Sequence, residues 1–281
     1  MRVARQFAVD KVEVTLVTAQ FPEDRSMVPE DFIATEDLDR SVLDEGAFQR
    51  PRQLPLLADI LHRLYESVKA DYLIYTNVDI GLLPSFYVVV DQIIEEGYDA
   101  FVINRRTISD AFTRVEDLPL MYGQVGLKHP GHDCFVFKRE AYEKYCLGKV
   151  CIGMAWVAKA LLVNMAYHAL RFQVFEDEHL TFHIGDPRPW ADPAYADYRA
   201  HNHKEFVAIR RSLREKFGKL VLRLPKGSNI PPMLEERVSW KRGPWKRVPW
   251  IRLMVKRVTP EPIYEAAKKV YRTIRPLPDQ G

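Results

Sequence analysis

Short runs of apolar residues alternate along the chain with segments in which apolar residues recur every three or four positions. The runs predict strands at residues 12–20, 72–75, 99–106, 134–140 and 179–186. The periodic segments predict a helix end at residues 1–9 and helices at residues 54–68, 84–97, 140–146 and 195–218. Residues 22–50 are acidic, have few periodic apolar positions and are predicted to be irregular.

This alternation of strands and helices predicts the α/β class, with a mostly parallel sheet flanked by helices. The runs DYLIY and DAFVI are almost continuously apolar, which is typical of strands covered on both faces. In such sheets ligands bind beyond the carboxyl ends of the strands. The sequences TNVD, NRR and HIGD all lie at the ends of predicted strands, so we expect a ligand site along that edge.

Asn77 and Asp79 follow the predicted strand at residues 72–75, in the sequence YTNVDIGL. Two positions apart, they point the same way in an extended chain, with Cα atoms roughly 6.6 Å apart. We therefore assign Asp79 to a hard divalent cation and Asn77 to a hydroxyl or a water. Such a cation suits a diphosphate, whose charge it offsets. The alternative for Asp79 is a cap on the helix that begins near Pro84.

His183 and the pair formed by Arg105 and Arg106 also follow predicted strands. A neutral imidazole at His183 suits a Mn²⁺ site, because Mn²⁺ accepts both nitrogen and oxygen. A buried, hydrogen-bonded histidine is the alternative. Guanidinium groups match phosphate oxygens, so Arg105 and Arg106 are candidate substrate-binding residues, with solvated surface charge as the alternative.

The loop HPGHDCFVF, residues 129–137, places His132 and Asp133 beside a Pro-Gly turn and directly before a strand. Glycine allows the backbone to approach a bound group closely. Asp133 is the candidate to accept a proton from a hydroxyl nucleophile, and His132 is a candidate substrate contact. A turn-capping aspartate is the alternative for Asp133.

Taken together and in this order, YTNVDIGL, PGHDCFVFKRE and FHIGD resemble the GT-A glycosyltransferases, the nucleotide-diphospho-sugar transferase superfamily, over about residues 1–190. The resemblance implies an α/β sandwich in which an acidic motif, usually Asp-x-Asp, holds Mn²⁺ or Mg²⁺ against the diphosphate of a nucleotide sugar. Asn77 and Asp79 match the two acidic places of the motif. His183 matches a late metal ligand, and Asp133 is similar to a residue near the transferred sugar.

The chain departs from the family pattern in two places. Asn77 stands where the first acid is usual, at a position that in the family often contacts ribose or sugar, so the resemblance implies weaker metal binding. Family members also open with a strand that holds the nucleotide base and precedes a helix. This chain begins at a helix-like segment, MRVARQFAV. The resemblance therefore implies one of two things: Met1 is an internal methionine taken as the start, or the catalytic domain is shortened at its N-terminus and half of the nucleotide pocket is absent.

The net charge of +3 combines two parts of opposite sign. Residues 204–281 hold 20 of the 41 Lys and Arg and 7 of the 38 Asp and Glu, which leaves 21 basic and 31 acidic residues in 1–203. We therefore predict a catalytic domain at 1–203 and a basic extension at 204–281.

In the extension, residues 237–257 carry tryptophans five apart among eight Lys or Arg, which favours a peripheral contact with an anionic membrane surface. Packing on the catalytic domain is the alternative, and nucleic-acid binding is less favoured.

The apolar stretch at residues 152–170 approaches the length of a membrane span. Lys159, Asn164 and His168 interrupt it, so we predict a buried core helix instead. The three cysteines form no CxxC pair and predict reduced thiols in a cytoplasmic protein. The first residues contain no apolar run of the kind that signal peptides have.

These expectations favour a metal-dependent glycosyltransferase with a nucleotide-sugar donor and a glycan or lipid-linked acceptor, located in the cytoplasm and peripherally at the inner face of the membrane. A sugar nucleotidyltransferase is an alternative with the same fold, but it normally needs an N-terminal Gly-rich, Arg-containing loop, and none is visible here. A catalytically inactive, membrane-associated binding protein is a second alternative, and it would explain the shortened start and Asn77 together.

Overall fold

The computed structural model describes residues 1–218, which have the α/β composition that the sequence predicts. The helices are α1 (Arg2–Ala8), α2 (Leu57–Ser67), α3 (Phe86–Glu95), α4 (Leu118–Tyr122), α5 (Arg139–Tyr142), α6 (Val157–His168) and α7 (Ala196–Phe217). The strands are β1 (Val17–Thr18), β2 (Ile33–Ala34), β3 (Tyr72–Thr76), β4 (Gly81–Leu82), β5 (Ala100–Ile103), β6 (Arg106–Ile108), β7 (Leu127–Lys128), β8 (Cys134–Lys138), β9 (Phe172–Phe175) and β10 (Thr181–Ile184).

The main sheet has four strands in the order β3-β8-β5-β9. β5 and β9 pair in parallel, while β8 lies antiparallel between β3 and β5. β3, β5 and β9 therefore run in the same direction, and β8 runs in the opposite direction between β3 and β5. Every residue of β5 is buried, as its continuous apolar run predicts.

β3 differs from the prediction that both of its faces are covered. Within residues 1–218 it is the outer strand of the main sheet, and only Leu73 in it is buried. Tyr75 and its neighbours are half-buried because only one long edge of β3 has a strand beside it. The apolar run at residues 72–75 reflects aromatic and β-branched side chains on a partly covered surface rather than a fully enclosed strand.

A second four-stranded sheet has the order β4-β10-β6-β7. The chain passes from the main sheet to this one between β5 and β6, through Asn104 and Arg105. The single strand predicted at residues 99–106 is thus two strands in two sheets. This crossing places the ends of β3 and β5 close to β10. The candidate site lies where these strand ends meet.

The strand predicted at residues 12–20 is much shorter in the structure. Only Val17–Thr18 forms a ladder, in parallel with β2. Residues 12–16 belong to no strand, and their side chains alternate between half-buried and exposed up to Leu16, which is buried. The segment at residues 22–50 is largely irregular, as predicted. It holds two 3₁₀ turns, Pro22–Met27 and Val42–Asp44, in addition to β2.

α6 forms the centre of the apolar stretch at residues 152–170. Residues 160–166 are all buried, and Asn164 among them accepts a hydrogen bond from the Cys146 backbone N–H and donates to the Cys146 carbonyl. The amide is therefore a satisfied core group, as the prediction of a buried helix requires. None of the helices within residues 1–218 combines the length and apolarity that crossing a bilayer needs.

α7 packs along α6 and completes its core. Phe206, Ile209 and Leu213 lie in one buried cluster with Val150, Ala160 and Val163. The boundary predicted between residues 203 and 204 therefore falls inside a continuous helix whose later turns belong to the same core. The remainder of the predicted basic extension, including the tryptophan-rich residues 237–257, lies outside the described residues.

Candidate functional site

The pairing of β4 with β10 brings Asp79 and His183 together. Gly81 lies opposite Phe182 in this antiparallel ladder, so the residues just before β4 lie beside the centre of β10. Asp79 Oδ2 is 3.2 Å from His183 Nε2, although the two residues are 104 positions apart in the chain. The alternative assignment of Asp79 as a helix cap does not hold, because the N-cap of α3 is Ser85.

The surroundings of His183 determine which of its atoms faces Asp79. The imidazole is almost fully buried, and its Nδ1 lies 2.9 Å from the Gly185 carbonyl, which only accepts hydrogen bonds. Nδ1 therefore carries the proton in the neutral ring, and the Nε2 lone pair points toward the Asp79 carboxylate. Two acceptors 3.2 Å apart repel each other unless a proton or a metal cation lies with them.

This pair of donor atoms fits a divalent cation that is shared with a substrate. A carboxylate oxygen and an imidazole nitrogen are both ligands that Mn²⁺ accepts. The Asp79 side chain is 58% exposed, which leaves room for oxygens of another molecule. Within residues 1–218 no group of three or more His, Cys, Asp and Glu side chains is arranged to hold a metal ion. A cation at Asp79 and His183 would therefore need diphosphate or water oxygens to fill its other positions.

Asn77 is oriented by its neighbour two residues earlier. The Tyr75 hydroxyl donates to Asn77 Oδ1 at 3.3 Å, so the amide NH₂ of Asn77 is the part that remains to contact a ligand. Burial, and to a lesser extent the charge of Asp79, raise the pKa of Tyr75, which keeps its hydroxyl protonated. This arrangement suits the sequence-based assignment of Asn77 to a hydroxyl rather than to the cation.

Asp133 and His132 lie beside the end of β3. Thr76 pairs with Cys134 in the ladder, and the Thr76 hydroxyl donates to the Asp133 carbonyl at 3.0 Å. His132, Asp133 and Asn77 line one small cavity, and its other walls are Tyr75, Phe135, Val157, Ala158 and Leu161. Three of the predicted site residues are thus neighbours around one cavity.

Two of the titratable side chains that line this cavity, those of His132 and Asp133, differ in their interactions. Burial lowers the pKa of His132 to about 4, against the opposing effect of the Asp133 charge, so this imidazole is neutral near pH 7. Asp133 Oδ1 accepts from Arg105 at 3.0 Å, but Oδ2 is buried and has no hydrogen-bond partner within residues 1–218. A buried carboxylate oxygen without a partner is costly, and it is the atom left to receive a ligand hydroxyl.

Arg105 and Arg106 are not free to form a guanidinium fork for phosphate. Arg105 donates to Asp133 at 3.0 Å and to Asp186 at 3.3 Å, and only 11% of its side chain is exposed. Arg106 donates to two backbone carbonyls of the loop before β7 and to Asp177 at 2.7 Å. The prediction that both bind substrate does not fit these contacts, because each guanidinium is already committed to acceptors of the protein itself.

Three residues of the site were not among the predicted ones. Tyr75 orients Asn77, while His129 and Asp186 both lie 3.3 Å from Nη2 of Arg105. His129 and Asp186 occur in the quoted sequences HPGHD and FHIGD, so the motifs contained them. Nothing in a linear sequence indicates that two loops 57 positions apart share one arginine.

No family model matches the chain, and no curated protein matches it. Among solved structures, S. aureus TarS 1–349 in complex with UDP-GlcNAc is similar at a TM-score of 0.37 and 7% identity, covering 70% of this chain and 60% of that chain. The complex of TarS 1–349 with UDP gives a TM-score of 0.32 and 9% identity, covering 69% and 57%. This chain thus spans less than two thirds of the TarS chains, and at these scores the likeness supports no conclusion about function.

Proposed function

We propose that this protein is a glycosyltransferase that moves a sugar from a nucleotide-sugar donor to a hydroxyl of an acceptor, assisted by Mn²⁺ or Mg²⁺. The observation that carries this proposal is the 3.2 Å approach of Asp79 Oδ2 to His183 Nε2 at the rim where the two sheets meet. A carboxylate and an imidazole lone pair converge there on an open side, as a cation shared with a diphosphate requires.

The side chains around this pair would divide the work of the transfer. Asp79 and His183 would hold the cation, which when bound supplies positive charge for the leaving diphosphate. Asn77 would donate its amide hydrogens to a hydroxyl of the donor. Asp133 would accept the proton of the acceptor hydroxyl at Oδ2, the carboxylate oxygen that no group in residues 1–218 engages.

The acceptor and its location extend this proposal. A glycan or a lipid-linked acceptor would suit a cytoplasmic enzyme that contacts an anionic membrane through residues 237–257. That basic, tryptophan-rich stretch is the sequence feature that supports the membrane contact. Cosedimentation with anionic vesicles, compared with neutral vesicles, would test it independently of any nucleotide.

The primary experiment is a thermal-shift screen of sugar nucleotides, each with Mn²⁺ and without it. A ligand that binds the folded state alone raises the midpoint of unfolding according to its occupancy. We expect at least one sugar nucleotide to raise the midpoint only when Mn²⁺ is present. No shift with any nucleotide would contradict the proposal.

Two variants make the screen specific to the site. Asp79→Ala is expected to abolish the Mn²⁺-dependent shift, and to abolish hydrolysis of the sugar nucleotide as well. Asp24→Ala removes a carboxylate from a 3₁₀ turn outside the site and is expected to leave the shift unchanged. If Asp79→Ala retains the full Mn²⁺-dependent shift, Asp79 does not hold the cation.

A catalytically inactive binding protein is a second candidate, and one observation favours it. Within residues 1–218 the cation site has two protein ligands, since no larger group of His, Cys, Asp and Glu is present. A cation held so loosely suits reversible binding better than turnover. Sugar-nucleotide binding without hydrolysis or transfer to any acceptor would favour this candidate. The sugar nucleotidyltransferase alternative has no observation in its favour.

A further inference from the structure

Arg105 lies between two carboxylates that belong to different loops. Its Nη1 donates to Asp133 Oδ1 at 3.0 Å, and its Nη2 donates to Asp186 Oδ1 at 3.3 Å. The remaining nitrogen, Nε, is buried and has no hydrogen-bond partner within residues 1–218. The guanidinium therefore presents no accessible fork to a ligand. Its two outer nitrogens instead donate to Asp133 and Asp186 of the protein itself.

His129 makes a second connection between the same two loops. The Gly131 N–H donates to His129 Nδ1 at 3.0 Å, and Arg105 Nη2 lies 3.3 Å from His129 Nε2. That Nε2 lies 3.5 Å from Asp186 Oδ1. Nδ1 lies 3.5 Å from Asp133 Oδ2, and because both atoms are acceptors no hydrogen bond forms there. The geometry leaves the buried Asp133 Oδ2 without a hydrogen-bond partner within residues 1–218, while Oδ1 accepts from Arg105.

The two loops carry different parts of the candidate site. Residues 129–133 lead into β8 of the main sheet and carry the acceptor-side carboxylate, Asp133. Asp186 follows β10 of the second sheet, three residues after His183, the candidate cation ligand. Arg105 itself lies at the crossing from β5 to β6, where the chain changes sheets. One side chain thus spans both halves of the site.

We propose that Arg105 is a positioning residue that locks the Asp133 loop to the Asp186 loop and so fixes the free Oδ2 of Asp133 relative to the cation ligand His183. Loss of Arg105 would release both loops together, because each loop loses the same partner. The assignment of these loops to acceptor and cation rests on the proposed function, whereas the lock itself does not.

The lock is tested by hydrogen exchange in the full chain. In Arg105→Gln we expect the amides of Gly131 and Asp133 to exchange at least about tenfold faster, and those of Gly185 and Asp186 to change with them. Arg106→Gln is the matched control, because Arg106 is equally buried and adjacent but bonds residues 125, 126 and 177. We expect that control to leave Gly131 and Asp133 unchanged.

Two further variants keep the test decisive if Arg105→Gln does not fold. Arg105→Lys retains the charge but not the fork, and Asp186→Asn removes one carboxylate from the far loop. Faster exchange at Gly131 in Asp186→Asn is the expected result, since the change then travels through Arg105 and His129. Unchanged exchange at Gly131 and Asp133 in all variants that fold would overturn the lock.

A binding measurement separates positioning from direct phosphate contact. The probe is inorganic pyrophosphate titrated in the presence of Mn²⁺. Affinity in Arg105→Gln is expected to stay within about twofold of the unaltered protein, because no accessible nitrogen of Arg105 faces a ligand. A tenfold loss without faster loop exchange would place Arg105 at the phosphates and overturn the proposal. If pyrophosphate fails to bind the unaltered protein, the proposed function is the part that fails, and exchange still decides the lock.

Discussion

The ring of Phe182 fills the space in which a side chain at Gly81 would lie. A Cβ at residue 81 would be 2.4 Å from Phe182 Cζ, closer than any ordinary contact, and the two residues face each other in the β4–β10 ladder. This close approach is what allows two-residue β4 to pair with β10. The meeting of Asp79 with His183 thus depends on a glycine two positions after the carboxylate.

We expect Gly81→Ala to destabilise the protein by about 1–3 kcal/mol, since the added methyl group must displace a buried ring. The substitution should also weaken Mn²⁺ binding, because Asp79 lies two residues before β4 and the β4–β10 pairing places it beside His183. Chemical denaturation and metal titration measure the two effects. Gly46→Ala is the control. A Cβ at residue 46 would have its nearest neighbour, in the Phe48 side chain, at 3.9 Å, and we expect little change in either measurement.

Lowering the pH should destabilise the fold through His132. Burial holds its folded pKa at about 4, below the ordinary 6.5, so the unfolded chain binds more protons between these two values. The contribution of His132 to the free energy of unfolding therefore keeps its full value above pH 6.5. It decreases progressively as the pH falls toward 4, by up to roughly 3 kcal/mol. Denaturation midpoints measured from pH 7 to pH 4 should show a smaller decline in His132→Gln than in the unaltered protein. An equal decline in both would assign the pH dependence to other groups.

Removal of the Asn202 amide should destabilise the packing of α7 against the segment before α6. Asn202 is fully buried, accepts from the Cys151 N–H at 3.0 Å, and donates to the carbonyls of Cys151 and Ala155. Asn202→Leu removes the partner of the buried Cys151 N–H and carbonyl and of the half-buried Ala155 carbonyl, and we expect a loss of about 2–5 kcal/mol in unfolding free energy. His203→Leu changes the exposed neighbouring position and should cost less than 1 kcal/mol.

The second half of α7 should prove to be part of the core. Phe206 is 3% exposed and packs with Val150 and Ala160, so Phe206→Ala is expected to cost about 3–5 kcal/mol. Val207 is 38% exposed on the same helix, and Val207→Ala should change stability by about 0.5 kcal/mol or less. Equal effects of the two substitutions, measured by urea unfolding, would mean that residues 204–217 do not stabilise the core.

The sequence predicted the elements that have strong periodicity or long apolar runs. α2, α3, α7, β5, β8 and β10 all lie within predicted segments, because burial of a helix stripe or of a whole strand leaves a local signal. β4, β7 and β9 were not predicted. The first two have two residues each, and β4 includes a glycine whose role depends on a ring 101 positions later.

In the candidate site, too, the sequence predicted what has a local pattern and missed what depends on distant contacts. Polar residues at the ends of predicted strands indicated Asp79 and His183, and the Pro-Gly turn directly before a predicted strand indicated Asp133. The commitment of Arg105 to two carboxylates has no local signal, because Asp133 and Asp186 reach it only after both sheets form. An arginine pair after a strand has the same appearance in a sequence whether it binds phosphate or ties loops together.

The antiparallel position of β8 has a consequence for the order of events during synthesis. β3 and β5 both pair with β8, so neither finds its partner until residues 134–138 have left the ribosome. While about sixty further residues are synthesised, the backbone N–H and C=O groups along the edge of β3 are unpaired. Any extended chain nearby can pair with them. A slow codon tract before residue 134 would prolong that exposure, and aggregation of nascent chains should rise with it.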